Sequence, residues 1–434
     1  MRSLSLILFF LGVCLLQGQD KFYVKKIVFV GNEKTKSEII ARELTFSAGS
    51  VLDTSLISYN ENRVYGTGLF NKVKIWFEKD SDNTAIVYVW VNERWYIWPF
   101  PILGWKDRDI KKLYYGAGLI HTNFRGRNEK LIFSFALGYD PWIEVEYQNP
   151  WVLGSKNLFY SFEAFYQRVK NRSRLFSASF YEEHTAINFT LGKRLGLYKK
   201  FWTTSAFRKI SIANAETSQP IDLGVEKTIS PSGKDEIFMF GFGFRYDTRD
   251  IPIYPNQGFL FSIFYRYNQL LNFNASFLQG GVEVQMFKKF ALGLIAGRLF
   301  ILNSFGRKIP VYSHYYFGYD ERIRGYFNDV FEGENIFAGT LEYRIPVIKQ
   351  RFFKWEKAPI EEFSILKFGV DFAIFGDIGR TWFNGENVLK IDYLRGYGVE
   401  LNFILPYDLL FGVGYALNNA GGKQIFVDFR AGFE

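Results

Sequence analysis

The feature that most constrains this chain is a two-residue rhythm in which large apolar side chains alternate with small or polar ones. From Ile237 to Asp247, Phe238, Phe240, Phe242, Phe244 and Tyr246 share one side, and Met239, Gly241, Gly243 and Arg245 share the other. Leu131, Phe133, Phe135, Leu137 and Tyr139 make a second such row, opposed by Lys130, Ser134 and Gly138. Near the end, Ile425, Val427, Phe429, Ala431 and Phe433 alternate with Gln424, Asp428, Arg430 and Gly432. Side chains point to opposite faces with a period of two only in β-strands, so the rhythm specifies strands and their facing. Each stretch runs for about ten residues, the length that crosses a bilayer at a tilt. Counting from Tyr114 to Phe433 gives about sixteen strands, an even number as bacterial barrels require.

Composition separates this reading from its rivals. Aromatic residues make up 20% of the chain, with 48 Phe and 27 Tyr, yet the mean hydropathy is only −0.07. A membrane helix bundle would be far more apolar throughout. A soluble sandwich or propeller would carry Lys, Glu and Thr on its exposed face, whereas here the smaller face holds Gly, Ser, Asn and scattered charge. A lipid-spanning barrel reconciles the two numbers, because outward and inward residues alternate and cancel in any average. The aromatic excess fits girdles at the two membrane interfaces.

The one long apolar run is Leu4–Leu16, preceded by Arg2 and followed by Gly18, Gln19 and Asp20. That is the anatomy of a secretory leader, expected over residues 1–19. Cys14 is the only cysteine, and Val13 before it is a poor match to a lipoprotein signal. Removal of the leader would exclude disulfides and thiol chemistry. The net charge of +9 is spread singly among aromatics rather than blocked into a basic patch, so no nucleic-acid partner is expected.

Residues 20–93 follow a different pattern. Val24–Val30 predicts a strand broken by Gly31 and Asn32. Thr35 and Glu38 have the spacing of a capping box, ahead of a helix burying Ile39, Ile40 and Leu44. Asp53 or Thr54 can cap a second helix carrying Leu56, Ile57 and Val64, which Gly66 and Gly68 stop. Two strands follow, Lys72–Glu78 and Ala85–Val91, joined by a turn at residues 80–83. The order βααββ describes a small α+β domain. Three strings in it, "IVFVGNEKT", "YGTGLFNKVKIWF" and "VYVWVNE", resemble the polypeptide-transport-associated (POTRA) domain. Gly31, Asn32, Gly68 and Phe70 are its fold markers, and the resemblance implies that an edge of its three-stranded sheet receives extended clients. Residues 94–112, with Pro99 and Pro101, read as a linker, because proline excludes a helix or a central strand. The barrel is then expected over 113–434.

Within the barrel, four segments in order resemble the outer-membrane assembly-factor superfamily, which includes BamA-like insertases, TamA-like factors and two-partner-secretion transporters. "RYDTRDIPIYPNQG" is similar to the family's Asp-x-Arg-Asp…Pro-x-x-Gly hairpin, placing Asp247, Arg249, Asp250, Pro255 and Gly258. "ERIRGYF" resembles its Arg-Gly-Phe/Tyr loop tip, "GENIFAGTLEYRIP" continues from it into a strand, and "FGDIGRTWF" holds an Asp-x-Gly one strand later. "IFVDFRAGFE" resembles a terminal assembly signal, extended by Glu434. The resemblance implies that the sixth loop folds into the lumen, where Arg324, Gly325 and Tyr326 form a latch with Glu342 and Asp377. A guanidinium drawn into an enclosed space needs carboxylate partners, and its planar fork suits them.

The function so implied is non-enzymatic: insertion or translocation of unfolded polypeptide clients in an outer membrane, among its lipids, with the POTRA domain in the periplasm. A single POTRA domain argues against docking of accessory lipoproteins. The seam is expected between Tyr114–His121 and Gln424–Phe433, with Gly116 and Gly118 loosening it. The alternative is a structural or pore-forming barrel that keeps the fold without transport. No cofactor or metal is expected, since His121, His184 and His314 are scattered and no nucleophile elbow, zinc-ligand pair or phosphate loop occurs. "GFGFR" at Gly241 lies within a strand pattern.

Overall fold

The computed structural model describes residues 22–430 except Asp82, 106–109, 153–156, 214–217, 222–224, Asp320 and Asn328. The expected leader, and Ala431, Gly432 and Phe433 of the final row, lie outside the described residues.

The first domain is built on β1 (Phe22–Val30), α1 (Ser37–Ala41), β2 (Val51–Leu52), α2 (Ile57–Tyr65), β3 (Phe70–Ser81) and β4 (Thr84–Glu93). Its sheet has the order β2-β1-β4-β3, with β1 and β4 parallel and the other pairs antiparallel. Ala85, Val87, Val89 and Val91 point from β4 to one face, where they pack with Ile39, Ile40, Val64 and Phe70. The sheet is thus four-stranded rather than three-stranded, because Val51 and Leu52 pair with the first two residues of β1.

The expected capping box does not form. The N-cap of α1 is Lys36, without a side-chain cap. Glu93, at the end of β4, instead accepts the amides of Lys34 at 3.1 Å and Thr35 at 2.7 Å. The Thr35 hydroxyl is engaged with Tyr96 at 2.9 Å. A carboxylate delivered by the sheet takes the free donors that a local cap would have satisfied. Asp53 does cap, accepting from Ser55 N–H at 2.9 Å ahead of α2.

The rest of the chain is one sixteen-stranded antiparallel sheet in chain order. Its first eight strands are β5 (Ile97–Trp105), β6 (Leu113–Phe124), β7 (Glu129–Gly138), β8 (Trp142–Asn149), β9 (Leu158–Lys170), β10 (Tyr181–Leu195), β11 (Lys199–Ala213) and β12 (Lys234–Asp247). Then come β13 (Gly258–Leu270), β14 (Ser276–Phe290) and β15 (Gly293–Gly306). Two short strands, β16 (Tyr315–Phe317) and β17 (Phe331–Gly333), pair with each other inside the long connection that follows. The wall resumes with β18 (Asn335–Lys354), β19 (Ile365–Trp382), β20 (Leu394–Leu405), β21 (Leu409–Asn418) and β22 (Lys423–Arg430). No helix among the described residues is long and apolar enough to cross a membrane; here strands span it.

The rhythm of the sequence is the rhythm of the wall. Phe238, Phe240 and Phe242 point outward, as do Ile425, Val427 and Phe429, whereas Ile237, Met239 and Phe426 are buried on the inside. The stretch expected as a linker supplies the first strand, β5, so the wall begins at Ile97 and Tyr114–His121 lies in its second strand. Prolines are tolerated there because β5 is an edge strand with only β6 beside it. Gly118 does not loosen a seam: it sits under the Phe100 ring, which a Cβ would meet at 2.1 Å. The other proline within a strand, Pro346, lies where β18 and β19 slip register.

The longest connection, between β15 and β18, starts at the end of the barrel away from the POTRA domain. At the POTRA end the hairpin of β18 and β19 stands out, because its strands far exceed the ten or so residues that a crossing needs. It extends past the other turns, and its Phe352 meets Tyr65 of α2 with ring centroids 6.2 Å apart.

Candidate functional site

The loop between β15 and β18 dips into the barrel and presents Arg324 to the inner wall. Arg324 binds Asp377 of β19 with both Nε (2.8 Å) and Nη2 (2.7 Å), and its backbone N–H adds a third bond at 3.1 Å. Its Nη1 reaches Glu342 of β18 at 2.7 Å and Glu400 of β20 at 2.9 Å. The guanidinium lies 3.6 Å from the centroid of Phe375, so it is also stacked on an aromatic face. Arg344 holds the second oxygen of Glu342 at 2.8 Å, and Arg430 stands 3.9 Å from Glu400. Three neighbouring strands therefore each contribute one carboxylate to one cation. The structure brings together Arg324, Glu342 and Asp377; Glu400 is the partner that sequence reasoning missed. Its signal was available in "YGVELNF", where Tyr397, Val399 and Leu401 face outward and Glu400 falls on the inner phase.

The residues beside Arg324 fix the tip's approach. Gly325 has φ +100°, and its carbonyl accepts from Asn418 at 2.7 Å. On the wall opposite, a Cβ at Gly396 would stand 1.7 Å from the Arg324 carbonyl oxygen, so only glycine admits the tip. Tyr326 donates to Asn419 at 2.7 Å. Phe327 stacks on Phe426 of β22 at 4.9 Å, and its N–H donates to Gln424 at 2.9 Å. On the adjoining strands of the same wall, Glu321 receives Arg298 of β15 at 2.8 and 2.9 Å, and Glu283 of β14 receives the same residue at 2.7 Å. The loop is thus held at two points along a polar cavity of about 640 Å³.

At the opposite end, the hairpin between β12 and β13 carries the second motif. Asp247 accepts from Arg249 Nε at 2.9 Å and Nη2 at 2.8 Å, and Arg249 also reaches Gln285 at 3.0 Å. Asp250 is buried; it accepts the amides of Ile251, Asn256 and Gln257 and, at 3.1 Å, the side chain of Asn62 in α2. Pro255 lines the lumen cavity. Gly258, at φ +114°, passes so close to Thr248 that a Cβ would lie 2.4 Å from its carbonyl oxygen. Ile251 packs into the core of the POTRA domain. This hairpin is therefore a seat for α2, a contact that no residue spacing locates. The fold markers Gly31, Asn32, Gly68 and Phe70 lie within the domain: Gly31 and Gly68 have positive φ, Asn32 donates to Thr35 O at 2.9 Å, and Phe70 is fully buried.

Two ion clusters complete the seat. Glu43 receives Arg63 at 2.7 Å and Arg194 of β10 at 3.0 Å, with Arg42 at 3.3 Å. Burial alone would raise its carboxyl, but Arg194, Arg63 and Arg42 outweigh that and hold it at about 2. Arg94, between the domains, donates to Asp408 at 2.9 Å and lies over Tyr65. Burial likewise opposes the Asp408 charge, and Arg94 and Lys367 overcome it, keeping this carboxyl below its ordinary range. The histidines remain apart: His184 pairs with Glu182, His314 with Glu332, and His121 lies against Phe124. Among the described residues, no group of three or more His, Cys, Asp or Glu is placed to hold a metal ion.

The last element is the seam. β5 pairs only with β6 and β22 only with β21, so among the described residues the first and last strands of the sheet are not joined.

Residues 123–433 match the family model described as the Omp85 superfamily domain, and residues 22–94 match that described as the surface antigen variable number repeat, a POTRA module. The fold is similar to the crystal structure of BamA from Haemophilus ducreyi lacking POTRA domains 1–3, with TM-score 0.54 and 18% identity over 94% of this chain and 84% of that one. It is also similar to CdiB from Escherichia coli, with TM-score 0.55 and 11% identity over 94% and 76%. CdiB from Acinetobacter baumannii gives 0.50 and 14% over 94% and 73%. At these identities the likeness is one of fold.

Proposed function

The chain belongs to the Omp85 superfamily, and from that premise we propose that it assists the insertion of polypeptides into, or their passage across, a bacterial outer membrane. The observation that carries the proposal is the unjoined seam between β5 and β22. Inside hydrocarbon each unpaired backbone group costs several kcal/mol, so a free strand edge favours any strand that can pair with it. The clients are unfolded, β-prone polypeptides, and the surrounding solvent is outer-membrane lipid. The POTRA domain stands in the periplasm and offers extended segments the open side of β3, which has a neighbour only in β4. Nothing in this work makes or breaks a covalent bond; the protein acts by pairing and needs no cofactor. With one POTRA domain in the chain, accessory lipoproteins are not part of the proposal.

The Arg324 cluster serves this function as a latch. It ties the sixth loop to β18, β19 and β20, and through Phe327 the same loop braces β22. The seam can then open at one place while the neighbouring wall stays rigid. Reconstitution of the full chain in liposomes tests the function directly. An unfolded outer-membrane barrel client should reach its heat-modifiable, protease-protected form faster with the protein than in protein-free liposomes. Equal rates would overturn the proposal, and ion conductance alongside equal rates would favour a pore.

A further inference from the structure

The two walls of the seam are chemically unequal. Along a strand, residues whose N–H and C=O face one neighbour alternate with residues whose groups face the other. The Tyr96 carbonyl accepts from Thr122 N–H at 2.9 Å, and the register from Ile97↔His121 to Trp105↔Leu113 continues without a slip. Trp98, Phe100, Ile102 and Gly104 therefore turn their backbone groups to β6, and Ile97, Pro99, Pro101 and Leu103 turn theirs to the seam. The two central residues of that edge have no N–H. The Ile97 carbonyl is moreover taken by the indole N–H of Trp95.

The opposite wall is complete. Asn418 N–H donates to the Gly422 carbonyl at 3.0 Å, and β21 and β22 keep an unbroken register from Leu417↔Lys423 to Leu410↔Arg430. Gln424, Phe426, Asp428 and Arg430 thus serve β21. Lys423, Ile425, Val427 and Phe429 face the seam, each with both a donor and an acceptor. The side chains of the last three are 79%, 56% and 60% exposed and continue the outer apolar surface.

We propose that β22 is the edge to which a client strand adds, and that Pro99 and Pro101 blunt β5 against both β22 and incoming strands. The inference rests on the function proposed above. A strand paired with β5 would leave two of its carbonyls without donors in lipid, whereas a strand paired with β22 would not. The occupant is an extended segment antiparallel to β22, apolar at alternate residues so that it prolongs the row of Ile425, Val427 and Phe429. β22 is suited to this because Phe327 stacks on Phe426 and binds Gln424 from the lumen, holding the template straight.

The test uses the full chain in detergent and a synthetic peptide of alternating valine and threonine with a central photoreactive group. Labelling should fall on residues 423–430, with β5 labelled about tenfold less, the scale set by one or two net hydrogen bonds. Labelling of β5 equal to or above that of β22, or of neither edge, overturns the assignment. Restoring donors with Pro99→Val and Pro101→Val should raise β5 labelling towards that of β22; no rise also overturns it. If that variant does not assemble, the comparison of edges in the unaltered chain decides alone. Client insertion in liposomes is read separately: unaccelerated insertion defeats the functional reading, while peptide mapping still judges which edge receives a strand.

Discussion

The loop inside the barrel and the POTRA domain at its mouth are held by clusters of opposite charge pattern. In the sixth loop one cation, Arg324, sits among Asp377, Glu342 and Glu400. At the POTRA seat one anion, Glu43, sits among Arg42, Arg63 and Arg194. The difference is where the partners come from. Every carboxylate around Arg324 belongs to the barrel wall, so withdrawing the loop would break all the pairs at once. Two of the arginines around Glu43 belong to its own domain, and only Arg194 belongs to the barrel. Undocking the domain would break one pair and leave the rest intact. All three Arg324 pairs therefore cross from loop to wall, whereas one of the three Glu43 pairs crosses from domain to barrel.

Four experiments can break or sharpen that contrast. The largest effect is expected for Arg324→Ala, which takes the cation from Asp377 and one partner each from the buried Glu342 and Glu400, and should cost about 3–5 kcal/mol. The readout is the melting of the heat-modifiable form on semi-native gels; an unshifted melting curve would end the latch proposal. Glu43→Gln comes next at about 2–4 kcal/mol, because it leaves a group of buried arginines without their anion. Its effect should appear in the POTRA domain, as protease sensitivity, with the barrel's melting unchanged.

Acid is the reversible form of that variant. Glu43 is held at about 2 against an ordinary value of 4.5, so its contribution is complete above the ordinary value and lost as pH falls towards the lower one. Spin labels at Lys26 and Lys289 should keep a narrow distance distribution down to that window and broaden within it. Broadening at neutral pH would contradict the assignment. The smallest effect belongs to Arg194→Ala, about 1–2 kcal/mol. It should broaden the same distribution without unfolding either part; if it melts the POTRA domain as Glu43→Gln does, the seat is not separable.

What could be read from the sequence was whatever repeats locally. The facing of β7, β12 and β22 follows from period two alone, because a one-residue slip would put phenylalanine into the lumen. Arg324, Glu342 and Asp377 were legible through a resemblance, and the physical need of a buried guanidinium for carboxylates pointed the same way. Glu400 and Arg298 were harder, since period two gives their inward facing but not which loop residue each one meets. The rule that proline excludes a strand misled at Ile97–Trp105, because it holds for central strands and nothing local marks a strand as an edge. The Thr35 and Glu38 spacing misled for the same kind of reason: Glu93, distant in sequence, arrives first at the free amides. The seat of α2 on the β12–β13 hairpin depends on how two finished domains meet, which neither announces alone.

The overlong hairpin of β18 and β19 reaches the domain as well. Its Phe352 lies against Tyr65 and under Lys72, and Glu362 near its tip binds Lys34 and takes the side chain of Asn71. The hairpin thus grips the domain at three separate places, so a domain that lost its pair with Arg194 would still be tethered on that flank.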